Sequence, residues 1–438
     1  MVPRLPPELI DAIVGHVSTS DKDTLKACAV TGSVFRATCQ RRLWRELELT
    51  NNPHNDGYSY SYLQAATRFA AYPHLASYVA ELELWLCVGD DMDTAESVFH
   101  ALPSVLSILS KLAAIDIRLY YTQMDTVWPN LPAGFTTAVA ELLARPPASL
   151  RKLRMSDFLV IPREVMHSAL MACPTVTLFR VSADDFSTRT SVPESWHKSP
   201  IERLKTSIYQ LCRPFLSLTV LPYTKSLRAL VLCNSGGNVM YELFTIPALC
   251  ASLAESLEYL AIEFPCMAHS DNVSYSPVIV LPPLPKLRYL QLSFHYIDYT
   301  AQGPAVSVAP ALSPHNAGLV PLFLANSLPS VPALATLVLP VDVRVRGLRM
   351  KYEPPAAFAV FDSLISAFLA REATRNRACY IPKLRFFPPL QDEAKARAGL
   401  HMDAFARAMR EAHPLSVPLG LAVVERDREG WISEMVDF

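Results

Sequence analysis

The sequence predicts an α/β solenoid that follows a small module of three helices and ends in a C-terminal cap. Two observations support this fold class. An apolar pattern of the form L-x-x-L-x-L returns eight times between residues 79 and 339, and its L-x-L core alternates with the period of a half-buried strand. The stretches between the copies carry apolar residues at helical spacing. Strand and helix repeated in this way are typical of a solenoid.

The composition indicates a folded chain with a large core and argues against several classes of partner. The 438 residues include 40 Lys and Arg against 41 Asp and Glu, and 51% are hydrophobic. A formal net charge of −1 provides no basic face for nucleic acid. The 13 glycines form neither G-x-G nor G-x-x-x-x-G-K-[ST], which are the loops that hold nucleotide phosphates. We therefore expect no nucleic-acid partner and no cofactor.

The cysteines and the apolar stretches indicate a reducing compartment and no membrane span. The nine cysteines contain no C-x-x-C pair, so we expect small buried residues in the cytoplasm or nucleus. Carboxylates interrupt the apolar N-terminus, which argues against a signal peptide. The stretch from Tyr299 to Val341 has no charged residue, but seven prolines break it, so we expect a buried segment.

Three helices are predicted within roughly the first 45 residues. Pro6 and Pro7 fit the first turn of a helix, where no backbone N–H is needed. Asp23 is predicted to cap the second helix and Ser33 the third, with Gly32 ending the second in a left-handed conformation. Three short helices hide too little surface to be stable alone, so a partner or the rest of the chain must complete them.

The string LPPELIDAIVGHVSTSDKDTLKACAVTGSVFRATCQRRLW resembles the F-box, in the form common in fungal proteins. An L-P-x-E-[LI]-[LI] opening, a D-x-x-T-L-K-A-C block and an R-R-L-W exit follow one another in order, and the match covers Leu5 to about Leu49. The resemblance implies that this segment binds the small adaptor subunit of the cullin-RING ubiquitin ligases called SCF, through an apolar surface.

The resemblance also assigns residues to that surface. The implied adaptor contacts are Leu5, Pro6, Leu9, Ile10, Ile13 and Val17. The residues expected closer to the core of the module are Leu25, Val30, Phe35 and Leu43. The alternative is that all of them are core residues of a helical cap on the solenoid.

The repeat resembles an irregular leucine-rich-repeat array, which often follows an F-box. The copies begin at Val79, Leu112, Leu150, Val176, Leu227, Leu257, Leu287 and Leu334, and WRELEL from Trp44 is a lead-in copy. The intervals are mostly longer than the about 20 to 29 residues of that family, and the Asn that usually follows the strand is missing. We expect hidden strands or inserted loops after Val176 and Leu287; a closed barrel or a doubly wound sheet is the alternative architecture.

These features divide the chain into three predicted regions. They are an F-box-like helical module at 1–50, the repeat array at 51–340 and a C-terminal capping region at 341–438. The capping region is expected to contain a strand from Val341, helices at Pro354–Arg371 and Asp392–Ala412, and a last strand in LGLAVVE from Leu419. An open array needs such a cap over its last apolar face.

The residue between the two buried positions of each strand is expected to face the open side of the sheet. That row reads Glu83, Asp116, Arg154, Arg180, Val231, Ala261, Gln291 and Val338. The next row reads Trp85, Arg118, Ser156, Ser182, Cys233, Glu263, Ser293 and Pro340. Arg118, Arg154 and Arg180 would then lie beside Trp85 and suit an acidic or phosphorylated peptide. The alternative is that Asp116 and its neighbours neutralise the arginines.

No motif of the sequence indicates catalysis or metal binding. The loop Asn234–Gly237 lacks the G-x-S-x-G of a nucleophile elbow, and the 11 histidines form no H-E-x-x-H. We expect a non-enzymatic substrate receptor for protein degradation, bound to the SCF adaptor and through it to the cullin scaffold, with an unknown target protein on the array. The alternatives are an interaction scaffold with no ligase link and an enzyme whose site these motifs do not reveal.

Overall fold

A computed structural model gives the fold. It describes residues 6–19, 21–52, 59–88, 96–121, 127–183, 201–207, 225–233, 245–264, 280–298, 323, 326–334, 336–345, 383–387 and 422–424. The chain forms two compact units. Unit 1 contains Met1–Arg189 and Ser199–Ile201, and unit 2 contains Thr190–Lys198 and Glu202–Phe438. Each unit combines helices with parallel strands in a repeating arrangement, which confirms the predicted α/β class.

Unit 1 begins with three helices, α1 (Pro7–Gly15), α2 (Lys22–Thr31) and α3 (Ser33–Leu43). The side chain of Asp21 accepts a hydrogen bond from the backbone N–H of Thr24 at 3.1 Å, so Asp21 caps α2 and the prediction of Asp23 was wrong. Gly32 was also predicted wrongly, because its φ of −147° is extended and not left-handed. Gly32 is in addition the N-cap residue of α3, so the predicted cap at Ser33 was wrong.

The helical module has a small apolar core. Its buried residues are Ile10, Val14, Leu25 and Cys39, and the residues partly buried against them are Val17, Cys28, Ala29, Phe35 and Leu43. The expected core positions Leu25, Phe35 and Leu43 are thus confirmed. Val30 is 83% exposed, which corrects its expected core position. Leu25, Cys28 and Ala29 share the buried face of α2, whereas Val30 lies on a different side of the helix.

Aromatic contacts join the helical module to the rest of unit 1. The Trp44 ring stacks on Tyr60 with centroids 5.2 Å apart and packs against Phe69 at 5.5 Å. The carbonyl of Arg45 accepts hydrogen bonds from the backbone N–H groups of Ala80 and Glu81, both at 2.9 Å. The three helices therefore continue directly into the first strand, as the lead-in copy at Trp44 predicts.

The strands of unit 1 in the described residues are all parallel. They are β1 (Glu46–Thr50), β2 (Ser59–Tyr60), β3 (Glu81–Val88), β4 (Ala114–Tyr121), β5 (Lys152–Ser156) and β6 (Thr175–Phe179). Their order is β2-β1-β3-β4-β5-β6. The lead-in copy and the four copies from Val79 to Val176 are confirmed as strands. Apart from the two-residue strand β2, these strands lie in chain order. Helices cover both faces of a doubly wound sheet, whereas the side chains of Glu83 and Arg154 are about half exposed on the face opposite the buried rows, so the arrangement fits a solenoid.

Two buried rows run across these strands. One row contains Leu47, Leu82, Ile115, Leu153 and Val176, and the other contains Leu49, Leu84, Ile117, Met155 and Leu178. All ten side chains are at most 2% exposed. Full burial of such a side chain stabilises a fold by about 1.5–3 kcal/mol. The alternate residues of each strand consequently point to the other face of the sheet.

Helices pack over the buried rows. They are α4 (Tyr62–Ala71), α5 (Glu96–Phe99), α6 (Leu102–Ile108), α7 (Ala133–Ala144) and α8 (Arg163–Met171), with 3-10 turns at Pro73–Tyr78 and Trp128–Asn130. The ring of Phe99 lies 5.5 Å from that of Tyr62 and 6.1 Å from that of Phe135. The Tyr62 hydroxyl donates to the carbonyl of Trp85 at 2.8 Å, which ties this aromatic row to β3.

The strands of unit 2 are also parallel and follow chain order from β7 to β13. They are β7 (Arg203–Ser207), β8 (Ala229–Cys233), β9 (Tyr259–Phe264), β10 (Tyr289–Asp298), β11 (Thr336–Val345), β12 (Lys383–Phe387) and β13 (Ala422–Val424). Helix α9 (Thr245–Ser252) and a 3-10 turn at Leu328–Ser330 accompany them.

The copies from Leu227 to Leu334 and the strand in LGLAVVE are confirmed in unit 2. The long interval after Val176 contains β7, whereas β12 was not foreseen. The stretch from Val341 is the second half of β11 and not a separate strand. The helices predicted at Pro354–Arg371 and Asp392–Ala412 lie outside the described residues.

Asn51 follows β1 and is buried against the neighbouring strand. Its Nδ2 donates to the carbonyl of Cys87 at 2.8 Å, and its Oδ1 accepts from the N–H of Cys87 at 2.8 Å. Asn51 therefore joins the end of β1 to β3, one residue before the Asn position of the pattern L-x-x-L-x-L-x-x-N. Its amide satisfies both backbone groups of a buried residue.

Replacing Asn51 by Ala should lower the free energy of unfolding by about 1–3 kcal/mol, because both backbone groups of Cys87 lose their partner. Chemical denaturation of the full chain measures this change. The matched control is Asn52→Ala, since Asn52 uses its backbone N–H to bond Thr50 and that donor is retained. Equal losses for the two variants would contradict a specific role of the Asn51 amide.

His167 lies in α8 and is 2% exposed. The Nε of Arg163 donates to its Nε2 at 3.4 Å, which requires the neutral ring. Burial, together with the charge of Arg163, lowers the pKa of His167 to about 4. The folded state therefore resists protonation that the unfolded chain undergoes near its ordinary pKa of about 6.5.

The stability of the chain should consequently fall as the pH falls from about 6.5 towards 4, since only the unfolded state binds this proton there. Denaturation at a series of pH values should show a shallower slope for His167→Gln than for the unchanged chain. His74→Gln, at an exposed histidine of the same unit, serves as the control and should keep the slope. An unchanged slope for His167→Gln would rule out this origin of the acid sensitivity.

Candidate functional site

Two surfaces of unit 1 carry the residues that the sequence predicts for binding. We define the α1 face as Pro6, Leu9 and Ile13, which are exposed. We define the strand face as the outward residues of β1, β3, β4 and β5, opposite the helices. The first surface is apolar, and the second combines charged groups with Trp85.

The α1 face exists because α1 is apolar on two sides. Leu9 and Ile13 are one turn apart and each is 50% exposed, whereas Ile10 and Val14 are buried in the module core. A hydrogen bond of 2.6 Å from the Thr38 hydroxyl to Asp11 holds α1 against α3. Two large apolar side chains are therefore exposed to solvent on a fixed helix. Neighbouring exposed apolar residues of this kind are typical of an interaction surface.

Only part of the implied adaptor surface is brought together. Leu9 and Ile13 share the exposed side of α1 with Pro6. Ile10 is 7% exposed and Val17 packs against the module core, so their implied place on the surface is corrected. Consecutive residues of a helix are about 100° apart around its axis, so Ile10 lies on a different side from Leu9 and packs with Leu25 and Cys39. Leu5 lies outside the described residues.

Sequence reasoning missed a second exposed apolar pair. Val30 is 83% exposed and Val34 is 49% exposed, on either side of Gly32 at the junction of α2 and α3. The signal was available, because Val30 does not share the spacing of Leu25, Cys28 and Ala29. An apolar residue off the buried face of a helix is exposed unless another element covers it.

The register of the strand face differs from the predicted row at β6. The observed rows are Glu48, Glu83, Asp116, Arg154 and Thr177, and then Thr50, Trp85, Arg118, Ser156 and Phe179. Thr177 therefore takes the place predicted for Arg180, and Phe179 takes that of Ser182. The segment VTLFRV has apolar residues in two phases, and the buried pair is Val176 and Leu178.

Arg180 lies beyond the carboxyl end of β6 and forms a separate pair. Its φ is 53°, and its Nη1 is 3.0 Å from Oδ1 of Asp157, whose φ is 70°. Burial raises the pKa of the Asp157 carboxyl, and the charges of Arg180 and Arg154 oppose that rise. Arg180 is thus removed from the row of Arg154 by a turn at the end of the strand.

Arg118 is the centre of the strand face. Its Nε donates to Oδ2 of Asp116 at 2.9 Å, and its guanidinium carbon lies 4.8 Å from the centre of the Trp85 ring. The Trp85 Nε1 donates to Oε2 of Glu83 at 3.3 Å, and Glu83 Oε1 is 4.0 Å from Arg118 Nη2. The hydrogen bonds to Asp116 raise the pKa of the Arg118 guanidinium. Its planar group is held between a carboxylate and an aromatic ring.

Asp116 also pairs with Arg154 on the next strand. Arg154 Nη1 is 3.8 Å from Asp116 Oδ2, and its Nε donates to the Ser156 hydroxyl at 3.3 Å. The structure therefore brings Arg118 and Arg154 together around a shared carboxylate, and of the two it is Arg118 that lies against Trp85. This is the neutralised arrangement that the sequence left open.

The corresponding row of unit 2 was predicted to face the open side of the sheet, but most of its described side chains are buried. Val231, Ala261 and Gln291 are at most 3% exposed, and Cys233 is 4% exposed. Tyr259 and Tyr289 stack across β9 and β10 with ring centres 4.3 Å apart. The register adds Lys205 of β7 to this row, a residue that sequence reasoning missed with its strand. The candidate binding surfaces among the described residues therefore lie in unit 1.

Within the described ranges, no three or more His, Cys, Asp and Glu side chains are grouped so that they could hold a metal ion. None of the helices in the part of the chain that the structure describes is long and apolar enough to span a membrane.

Comparison with known proteins adds little to this geometry. No known protein family matches the chain. No curated protein is significantly similar to it in sequence. Among solved structures, the crystal structure of the Rad7 and Elc1 complex in yeast matches with a TM-score of 0.33 and 14% identity, over 90% of each chain. This TM-score is too low to establish a shared fold, so the architecture rests on the strands and helices of this chain.

The shared carboxylate leads to a prediction about stability. Asp116→Asn should lower the free energy of unfolding by about 1–2 kcal/mol, because two arginines lose a charged partner in a partly buried position. Denaturation at low and at high salt checks the charge origin, since salt screens the loss. The control Glu83→Gln, at a half-exposed side chain, should cost less than about 0.5 kcal/mol. Equal costs for the two variants would contradict the central role of Asp116.

Proposed function

We propose that this chain is a non-catalytic substrate receptor of an SCF-type ubiquitin ligase. The α1 face binds the adaptor subunit, which links the chain to the cullin scaffold, and the repeat array, of irregular leucine-rich-repeat type, holds a target protein. The observation that supports this function best is the half-exposed pair Leu9 and Ile13. They lie within the F-box-like string, on the helix to which the resemblance assigns the adaptor contact.

The exposed pair is well placed for binding a partner. Leu9 and Ile13 are on a helix whose other side is fixed by the module core. Little conformational entropy is therefore lost when a partner covers them. Apolar anchors of this kind dominate the energy of many interfaces. A helix that lays exposed apolar residues into a groove of a partner is a recurring binding mode.

In this proposal the chain contributes proximity. Holding a target near the ligase makes ubiquitin transfer effectively intramolecular, and such positioning is worth several kcal/mol of barrier without any chemistry from the receptor. We propose that the chain acts in the cytoplasm or nucleus, where protein degradation by such ligases takes place. No catalytic group of this chain is needed for that role.

The double variant Leu9→Asp with Ile13→Asp should lose adaptor binding by about 100-fold or more, because two carboxylates would be desolvated in an apolar contact. Co-purification of the full chain with the SCF adaptor, followed by titration calorimetry, measures this loss. The matched control is Leu63→Asp with Ile108→Asp, which makes the same changes at exposed Leu and Ile residues on α4 and α6. The control should bind the adaptor normally.

Normal adaptor binding by the Leu9 and Ile13 variant would refute the proposed docking surface. If neither the variant nor the unchanged chain binds the adaptor, the interaction scaffold without a ligase link becomes the better function. Melting temperatures of both variants should stay close to that of the unchanged chain, since all four substitutions are at exposed positions.

A further inference from the structure

The charge of the strand face changes sign from one side to the other. The outward charged residues are Glu46 and Glu48 on β1, Glu81 and Glu83 on β3, Asp116 and Arg118 on β4, and Lys152 and Arg154 on β5. The formal charge is therefore negative on β1 and β3, balanced on β4 and positive on β5. Arg45, which precedes β1, offsets part of the negative side through its contact with Glu81 at 3.3 Å.

The negative side has a cost for the fold itself. Glu46 pairs with Glu81, and Glu48 pairs with Glu83, as direct neighbours across the ladder. Like charges directly opposite each other in a sheet are destabilising. Arg45 relieves the first pair, and the charge of Arg118 acts on both glutamates of the second, with its Nη2 4.0 Å from Glu83.

The positive side is accessible. Lys152 is exposed, and 48% of the Arg154 side chain is exposed. Adjacent strands are about 4.8 Å apart, so the positive strand lies about 10 Å from β3. The half-buried Trp85 lies between these charges and the negative strand β1, and its ring is held by Arg118 and Glu83. Tryptophan and arginine are the residues most often found at the centre of interfaces.

A ligand of uniform charge does not fit this surface. An acidic or phosphorylated peptide, one of the two possibilities that the sequence left open, would be repelled over β1 and β3 and would compete with Asp116 for both arginines. A uniformly basic peptide would be repelled over β5. A ligand with separated charges is attracted on both sides at once, and electrostatic complementarity of this kind determines partner choice.

We propose that the strand face binds a polypeptide segment whose charges are segregated, with Lys or Arg over β1 and β3 and Asp or Glu over β5. The distance from β1 to β5 is about 14 Å, which about four extended residues cross. An apolar residue between the charged ends would cover Trp85. This inference names the class of target for the receptor and so rests on the proposed function, although peptide binding itself needs no adaptor.

Four fluorescent heptapeptides test the proposal by anisotropy with the full chain at low salt. The first is Lys-Lys-Ser-Leu-Ser-Glu-Glu, the second has the same composition in the alternating order Lys-Glu-Ser-Leu-Ser-Lys-Glu, and the third and fourth carry only Lys or only Glu at the four charged positions. The segregated peptide should bind at least about fivefold more tightly than each of the others, since it makes several favourable ion pairs and no unfavourable one.

Variants of the chain should change this order in a defined way. Lys152→Glu with Arg154→Glu makes β5 negative as well and leaves Arg118 as the one cation among the eight outward charged residues, so the Lys peptide should become the tightest ligand. The control Arg68→Glu with Lys111→Glu changes the net charge equally at exposed positions away from the strand face, and it should keep the order of the unchanged chain. Unchanged melting temperatures show that the variants are folded.

Several results would overturn the inference. They are equal binding of the segregated and alternating peptides, tightest binding of the Glu peptide, no binding of any peptide, or the same change of order in the control variant. Adaptor binding is measured separately on the same proteins. A chain that binds the adaptor but fails these peptide tests would refute the inference and keep the proposed function, and the reverse result would refute the function alone.

Discussion

The in-register parallel pairing of the strands is the constraint on which the rest of unit 1 depends. Because side chains alternate along a strand, one register places Leu82, Ile115 and Leu153 together in the core and simultaneously aligns Glu83, Asp116 and Arg154 on the opposite face. A slip by one residue would exchange the two sets. The apolar rows therefore determine the geometry of the charged face, although no charged residue of that face contributes to them.

Helix α1 likewise has one buried and one exposed apolar side. Ile10 and Val14 fix the helix against α2 and α3, and Leu9 and Ile13 are exposed because the other side is already used. The α1 face is thus a consequence of a packed core and not of an incomplete one. Together, the two faces give unit 1 one exposed apolar surface and one exposed charged surface.

The sequence predicted the strands well because the L-x-L pattern has the period of the structure it forms. All eight copies are strands, and the lead-in copy at Trp44 begins β1. The sequence alone could not show which residues of VTLFRV are buried in the strand. Val176 and Leu178 form one alternating set, Phe179 and Val181 form another, and only the pairing with β5 distinguishes them. The sequence allowed for a hidden strand after Val176 but did not locate β7, because Leu204 is the only apolar residue of RLKTS and no period is visible. It did not predict β12, although Leu384 and Phe386 of KLRFF alternate.

The candidate sites were predicted less completely than the strands. The F-box-like string indicated an apolar surface on the first helix, but the division of α1 into buried Ile10 and exposed Leu9 depends on where α2 and α3 pack. On the strand face, the strand positions predicted Arg118 and Arg154 beside Trp85. The shared carboxylate of Asp116 and the opposite charges of β1 and β5 become visible only when the strands are in register.

Hydrogen–deuterium exchange of the full chain, alone and with the SCF adaptor subunit, tests the central claim most directly. The account predicts that the adaptor slows exchange of the amides of α1 and leaves the amides of β3, β4 and β5 unchanged, because the docking surface and the strand face are separate parts of unit 1. Unchanged exchange in α1, or protection centred on β3 to β5, would contradict the assignment of the adaptor to the exposed side of α1.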